Sequence, residues 1–244
     1  MRPDLDIRSY TDTRAGAITL IVSAVLITAA AALGGLLQPL VTDDRAAHSM
    51  ISMLAVTIPL TLAIPIVTVM MVAGEWADGS IQFTFLQRPR RIGVLAGRIL
   101  ASASMSALLV AFSVVLAAAF TWIGGELIGT RADFADTGEA LAQALAGAAA
   151  SYVLAVSAAV LLQSTLFALL AAIGIPFVLG IATGIATMTG SDTVADVVRA
   201  FDLGTAAAQL ADGVAQWRDL LPVLTMVLIP FAFGARRWAR REIG

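Results

Sequence analysis

Six runs of apolar residues, at about 15–37, 50–73, 94–122, 141–162, 165–188 and 219–235, divide this chain of 244 residues. Each approaches or exceeds the ~20 apolar residues that carry a helix across the hydrocarbon core of a bilayer, the last run being the shortest. Composition agrees: the chain is 59% hydrophobic with mean hydropathy +0.90, and 13% of its residues are charged, against roughly 25% in an average soluble domain. A soluble fold of this length has too little interior to hide so much apolar surface. Inside lipid every backbone polar group must be paired, so the runs predict an all-α polytopic protein with six transmembrane helices.

Charge sets the expected orientation. Arg2, Arg8 and Arg14 precede the first run, Arg88, Arg90, Arg91 and Arg98 lie around the second connection, and Arg236, Arg237, Arg240 and Arg241 close the chain. Six crossings put all eleven on one side and leave four, Arg45, Arg131, Arg199 and Arg218, on the other. By the positive-inside rule both termini and the second loop are cytoplasmic. The weakest boundary is Gln163-Ser164-Thr165, where uncharged polar residues separate two runs. A tight cytoplasmic turn keeps the arginine-rich C-terminal end inside; a bent or re-entrant segment is the alternative. Arg2, Asp4, Asp6 and Arg8 precede no small-residue cleavage site, so the first run is expected to remain in the mature protein.

Pro59 and Pro65 in the second run, Pro176 in the fifth and Pro230 in the sixth each remove a helix hydrogen bond, which reads either as a hinge or as a packing kink. Small residues such as Gly34-Gly35, Ala146 to Ala150, and Gly180 with Gly184 permit close helix approach, within the chain or between copies. Residues 189–218 form an outer loop in which Val194, Val197, Val198 and Phe201 recur at helical spacing. That spacing predicts an interfacial helix, a cap on a transport path or a plain connector.

Several chemistries are excluded or disfavoured. With no cysteine there is no disulfide, thiolate metal site or cysteine nucleophile, and the single histidine, His48, cannot build a histidine metal cluster. His48 beside Asp43 and Asp44 is a thin basis for an enzyme, and an exposed loop histidine is the simpler reading. A net charge of -2 gives no reason to expect a nucleic-acid partner. Ion-coupled transporters usually carry ionisable groups at mid-membrane, and the apolar runs show no such relay.

The segment 75–91 between the second and third runs is charged and compact. It contains Glu75, Trp76, Gly79-Ser80, the stretch Ile81 to Leu86, then Arg88-Pro89 with Arg90 and Arg91, and Arg98 follows in the next run. Ile81, Phe83, Phe85 and Leu86 form a greasy set beside Gln82, Thr84, Gln87 and Arg88, a pattern for a short helix with aromatic anchors. The arginines suit a protein partner or the headgroups of anionic membrane lipid.

This segment resembles the first cytoplasmic loop of ABC-2 type exporter permeases: a glutamate after the second segment, a glycine with a small hydroxyl residue, a hydrophobic stretch, a proline among arginines, and a basic residue opening the third segment. The tail from Arg236 to Glu242, with its arginine pair and acidic residue, is similar to the family's basic tail. Trp76 stands where many members have a basic residue, and Arg98 where lysine is common. The resemblance implies a single transmembrane domain over 1–244, a cytoplasmic coupling helix within 75–91, and location in the cytoplasmic (inner) membrane. It implies contact with an ABC ATPase subunit through Glu75, Trp76, Gly79, Ile81, Phe83, Phe85, Arg88, Pro89, Arg91 and Arg98.

It further implies that the chain is not itself an enzyme. It has no P-loop, and without lysine it lacks the usual phosphate-binding residue, so ATP and magnesium belong to the partner and this chain binds no cofactor. The expected assembly is a homodimer or a pair with a related permease, exporting a hydrophobic or amphipathic substrate. The alternative is a membrane anchor or regulatory subunit that docks the ATPase without transport.

Overall fold

The computed structural model describes residues 3–41, 46–77, 79–87, 91–129, 131–189 and 192–240, and these are helical almost throughout. Six helices are long and apolar enough to cross a membrane: Arg14–Leu37, Ser49–Trp76, Arg91–Leu127, Thr137–Leu162, Thr165–Ala186 and Trp217–Arg240. They match the six runs in order. The third, fourth and sixth continue beyond their apolar stretches, because backbone hydrogen bonding does not stop where polar side chains begin.

The second helix is apolar on all sides and is the most deeply buried of the six; it packs against the first, third, fourth and fifth. Pro59 and Pro65 lie inside it without interrupting it. One buried cluster joins Ile27, Met53, Leu60, Val67 and Leu109, and another joins Val72, Val94, Val160 and Trp238. Hydroxyl groups tie the helices where lipid offers no hydrophobic drive: Thr121 Oγ1 donates to Ser52 Oγ at 2.7 Å, and Ser157 Oγ to the Val227 carbonyl at 3.1 Å. The first helix ends in a π-helical turn, Leu33–Leu37. There a β-carbon added at Gly124 would overlap the carbonyl oxygen of Gly35, so the two backbones touch.

The fourth and fifth helices form a hairpin. Gln163 takes a left-handed conformation (φ 50°, ψ 36°) with its N–H bonded to the Ala159 carbonyl at 3.1 Å, and the fifth helix starts at Thr165. Leu154 and Ala172, at similar distances from this turn, line one cavity, as antiparallel neighbours do. The polar tripeptide is thus a tight turn. A β-carbon added at Gly180 or Gly184 would meet nothing within 4 Å, so neither glycine is required there by a close approach of another helix within the described residues.

A short helix ahead of the first run, Pro3–Thr11, is a feature the runs did not reveal. Ile7 and Tyr10 turn onto the core, the helix rests on the third long helix, and Thr13 caps the next one by accepting from the Gly16 N–H at 3.0 Å. The segment 189–218 also holds more than expected. It folds as two helices, Asp192–Arg199 and Leu203–Ala211, the second capped by Asp202 and packed on the fourth long helix.

The contacts define two ends. At one, Glu75 meets Arg98, Trp76 meets Trp238, and Thr165 Oγ1 donates to the Ala73 carbonyl at 3.4 Å. At the other, Ala47-His48 pairs in parallel with Ala132-Asp133, and Ser49 Oγ lies 2.6 Å from Thr137 Oγ1. His48, read from sequence as an exposed loop residue, is half-buried here, its Nδ1 3.1 Å from Asp133 Oδ2. The partner sits far along the chain, which explains why local sequence did not reveal it. Asp43 and Asp44 lie outside the described residues.

Candidate functional site

The site is assembled where the second helix ends and the third begins. Gly79, with φ +74°, reverses the chain after the second helix in a conformation that other residues adopt only at a cost. The short helix Ile81–Gln87 follows at once. Its Thr84 Oγ1 donates to Glu75 Oε2 at 2.7 Å.

The same carboxylate pairs with the guanidinium of Arg98, which projects from the third helix. Arg98 is 3% exposed, and a guanidinium so far from water requires a counter-charge and filled donors. Glu75 supplies the charge, and the Val72 carbonyl accepts from Arg98 Nη1 at 3.2 Å. The Trp238 ring, with its centroid 6.0 Å from Arg98 Cζ, covers the group. Trp238 is fully buried and meets Trp76 edge-on, centroids 5.1 Å apart at 76°. One ion pair therefore ties together the second helix, the third helix and the short helix, while two indoles add the end of the sixth.

The ten residues singled out by sequence divide in this geometry. Glu75, Trp76, Ile81 and Arg98 turn inward, Ile81 being buried against the cluster that contains Trp238. Phe83 turns outward and is 68% exposed. Gly79 makes the turn, and Arg91 opens the third helix half-buried and with an interaction of its own. Arg88 and Pro89 lie outside the described residues, as does the side chain of Phe85. Sequence reasoning missed Thr84 and Trp238. The signal for Trp238 was available: it is the one aromatic residue in the basic stretch 236–240, and Arg236, Arg237 and Arg240 are exposed around it.

A cavity of about 510 Å³ opens between the second, third and fourth helices, lined by Ile64, Ser106, Val110, Val114, Ala148 and Tyr152 among others. Its walls are aliphatic, with the Ser106 and Tyr152 hydroxyls as polar groups; the Tyr152 hydroxyl donates to the Ile99 carbonyl at 2.7 Å. Among the described residues no group of three histidines or carboxylates stands together as metal ligands would.

Fold and site together define a helical bundle of multi-pass type with a short helix tied across one end by an ion pair between the buried Arg98 and the half-buried Glu75. No protein-family model, curated protein or solved structure matches the chain.

Proposed function

We propose that this chain is the membrane permease of an ABC-2 type exporter, energised by separate ATPase subunits. The observation that carries the reading is the short helix Ile81–Gln87: Phe83 stands out from it, while Glu75, Thr84 and Arg98 fasten its base to two membrane helices. A projecting aromatic on a firmly anchored lever can receive a push from a partner and pass it to the bundle. Coupling needs such an element with two packed arrangements that ATP binding can bias. The buried members of the set, Trp76, Ile81 and Arg98, act as the mount, and Phe83 is the contact.

In this reading the termini and the short helix are cytoplasmic, in keeping with the exposed Arg8, Arg14, Arg236, Arg237 and Arg240. Two permeases enclose the path, and the aliphatic cavity beside Tyr152 suits a hydrophobic or amphipathic substrate.

The test is retention of the partner. The affinity-purified chain brings a P-loop ATPase out of its native membrane, and Phe83→Ala lowers that yield roughly tenfold or more, the scale of a lost aromatic anchor. Phe177→Ala, a change at an equally exposed residue (69%) on the lipid-facing fifth helix, leaves it unchanged. Equal yields for the two variants, or no ATPase at all, would remove the proposal. A complex that hydrolyses ATP without moving any compound would instead support the non-transporting anchor.

A further inference from the structure

At the end of the bundle remote from Glu75, helix Asp192–Arg199 and the start of the sixth long helix enclose a pocket of about 310 Å³. That volume is at the lower end of the range for small-ligand sites. Its lining is Asp196, Arg199, Ala200, Trp217, Arg218 and Leu221. Charges of both signs therefore stand in one pocket without neutralising each other. Arg199 leans 3.6 Å from Asp219, a buried carboxylate that also accepts the Gln216 N–H at 2.6 Å. Arg218 lies over the Trp217 ring at 5.7 Å and has no carboxylate partner among the described residues. Asp196 likewise has no cationic partner there.

The residues around the pocket suit a bilayer interface. Trp217, Leu220 and Val197 are well exposed beside the pocket, and Trp217 opens a membrane-spanning helix, the depth at which indoles favour the headgroup layer. A ligand that satisfies this pocket needs an anionic group for the guanidiniums, a cationic group for Asp196 and an apolar body for the exposed flank.

We propose that this pocket binds the headgroup of a zwitterionic phospholipid, its phosphate on Arg218 and Arg199 and its ammonium on Asp196. Arg199 is held in place by Asp219, so Arg218 is the guanidinium wholly available to the phosphate. The proposal goes beyond the exporter reading and requires only that the six helices cross a membrane.

The experiment offers phosphatidylethanolamine and phosphatidylglycerol separately to the delipidated full chain in detergent and counts retained lipid by native mass spectrometry. Wild type retains phosphatidylethanolamine in preference. Arg218→Gln lowers retention of both lipids by roughly two- to fivefold, as for loss of an exposed charge pair. Asp196→Asn lowers that of phosphatidylethanolamine alone, because only that headgroup carries an ammonium. Arg131→Gln, at an exposed arginine in the connection between the third and fourth helices, changes neither. All three positions are exposed, and unchanged thermal midpoints check that the variants fold. Free O-phosphoethanolamine that fails to displace the lipid assigns the site to the membrane; full displacement keeps the headgroup chemistry and assigns it to a soluble phosphate ester. Indifference of wild type to the two lipids, or an equal loss in Arg131→Gln, overturns the proposal.

Discussion

Arg98 is the most constrained charge described in the molecule, since its guanidinium is buried against Val72, Glu75 and Trp238 and cannot turn to water. Glu75→Gln would leave that guanidinium with a carbonyl and an aromatic face but no counter-charge. We expect a loss of about 1–3 kcal/mol, less than for a fully enclosed pair because the Glu75 side chain remains 35% exposed. Arg98→Met alone strands the carboxylate at the protein surface, a milder defect, and the double variant costs less than the sum. Thermal unfolding in detergent across the four-member cycle checks this, and additive effects would show that the pair is not a unit. Exchanging the two charges should not restore stability, because the Val72 carbonyl and the Trp238 ring favour a cation at position 98 only.

At the scale of helices, backbone proximity distinguishes glycines that pack from those that do not. A β-carbon at Gly234 would lie 2.6 Å from backbone atoms of Val160 and Leu161, where no side chain can swing aside. The sixth helix must then move off the fourth, taking Trp238 away from Arg98, so Gly234→Ala is expected to cost about 1–3 kcal/mol. Gly180→Ala meets nothing within 4 Å and is expected to be neutral, or stabilising by up to ~1 kcal/mol through helix propensity. Melting midpoints of the two variants provide the comparison. A loss at Gly180 as large as that at Gly234 would mean that another copy or subunit covers the fifth helix.

For the whole molecule, the clustering of contacts into two ends makes sidedness testable in a chain without cysteine. Gln82 and Ala135 are exposed at opposite ends. Thr137 is a poorer position for a probe, since its hydroxyl is engaged by Ser49. With an impermeant thiol reagent and sealed vesicles of known orientation, Ala135→Cys is expected to react from outside and Gln82→Cys only from the cytoplasmic face. The reverse pattern would invert the topology and the coupling proposal with it.

The number of long helices, the turn at Gln163 and the positions of the prolines could be read from the sequence, because lipid solvent demands apolar runs of a set length and polar residues mark their limits. The short helix after Gly79 was legible for a similar reason, its apolar spacing lying between a turn residue and a charged run. The helices Pro3–Thr11 and Leu203–Ala211 were not, since elements of nine residues gain most of their stability from what they pack against. Glu75 and Arg98 were both marked by sequence, as contacts that the resemblance implies. Only the tertiary structure decided that they pair with each other, that Thr84 and Trp238 complete the arrangement, and that Ile81 faces inward while Phe83 faces out. Composition and periodicity are properties of a segment, whereas burial of a charge depends on which distant helices close around it.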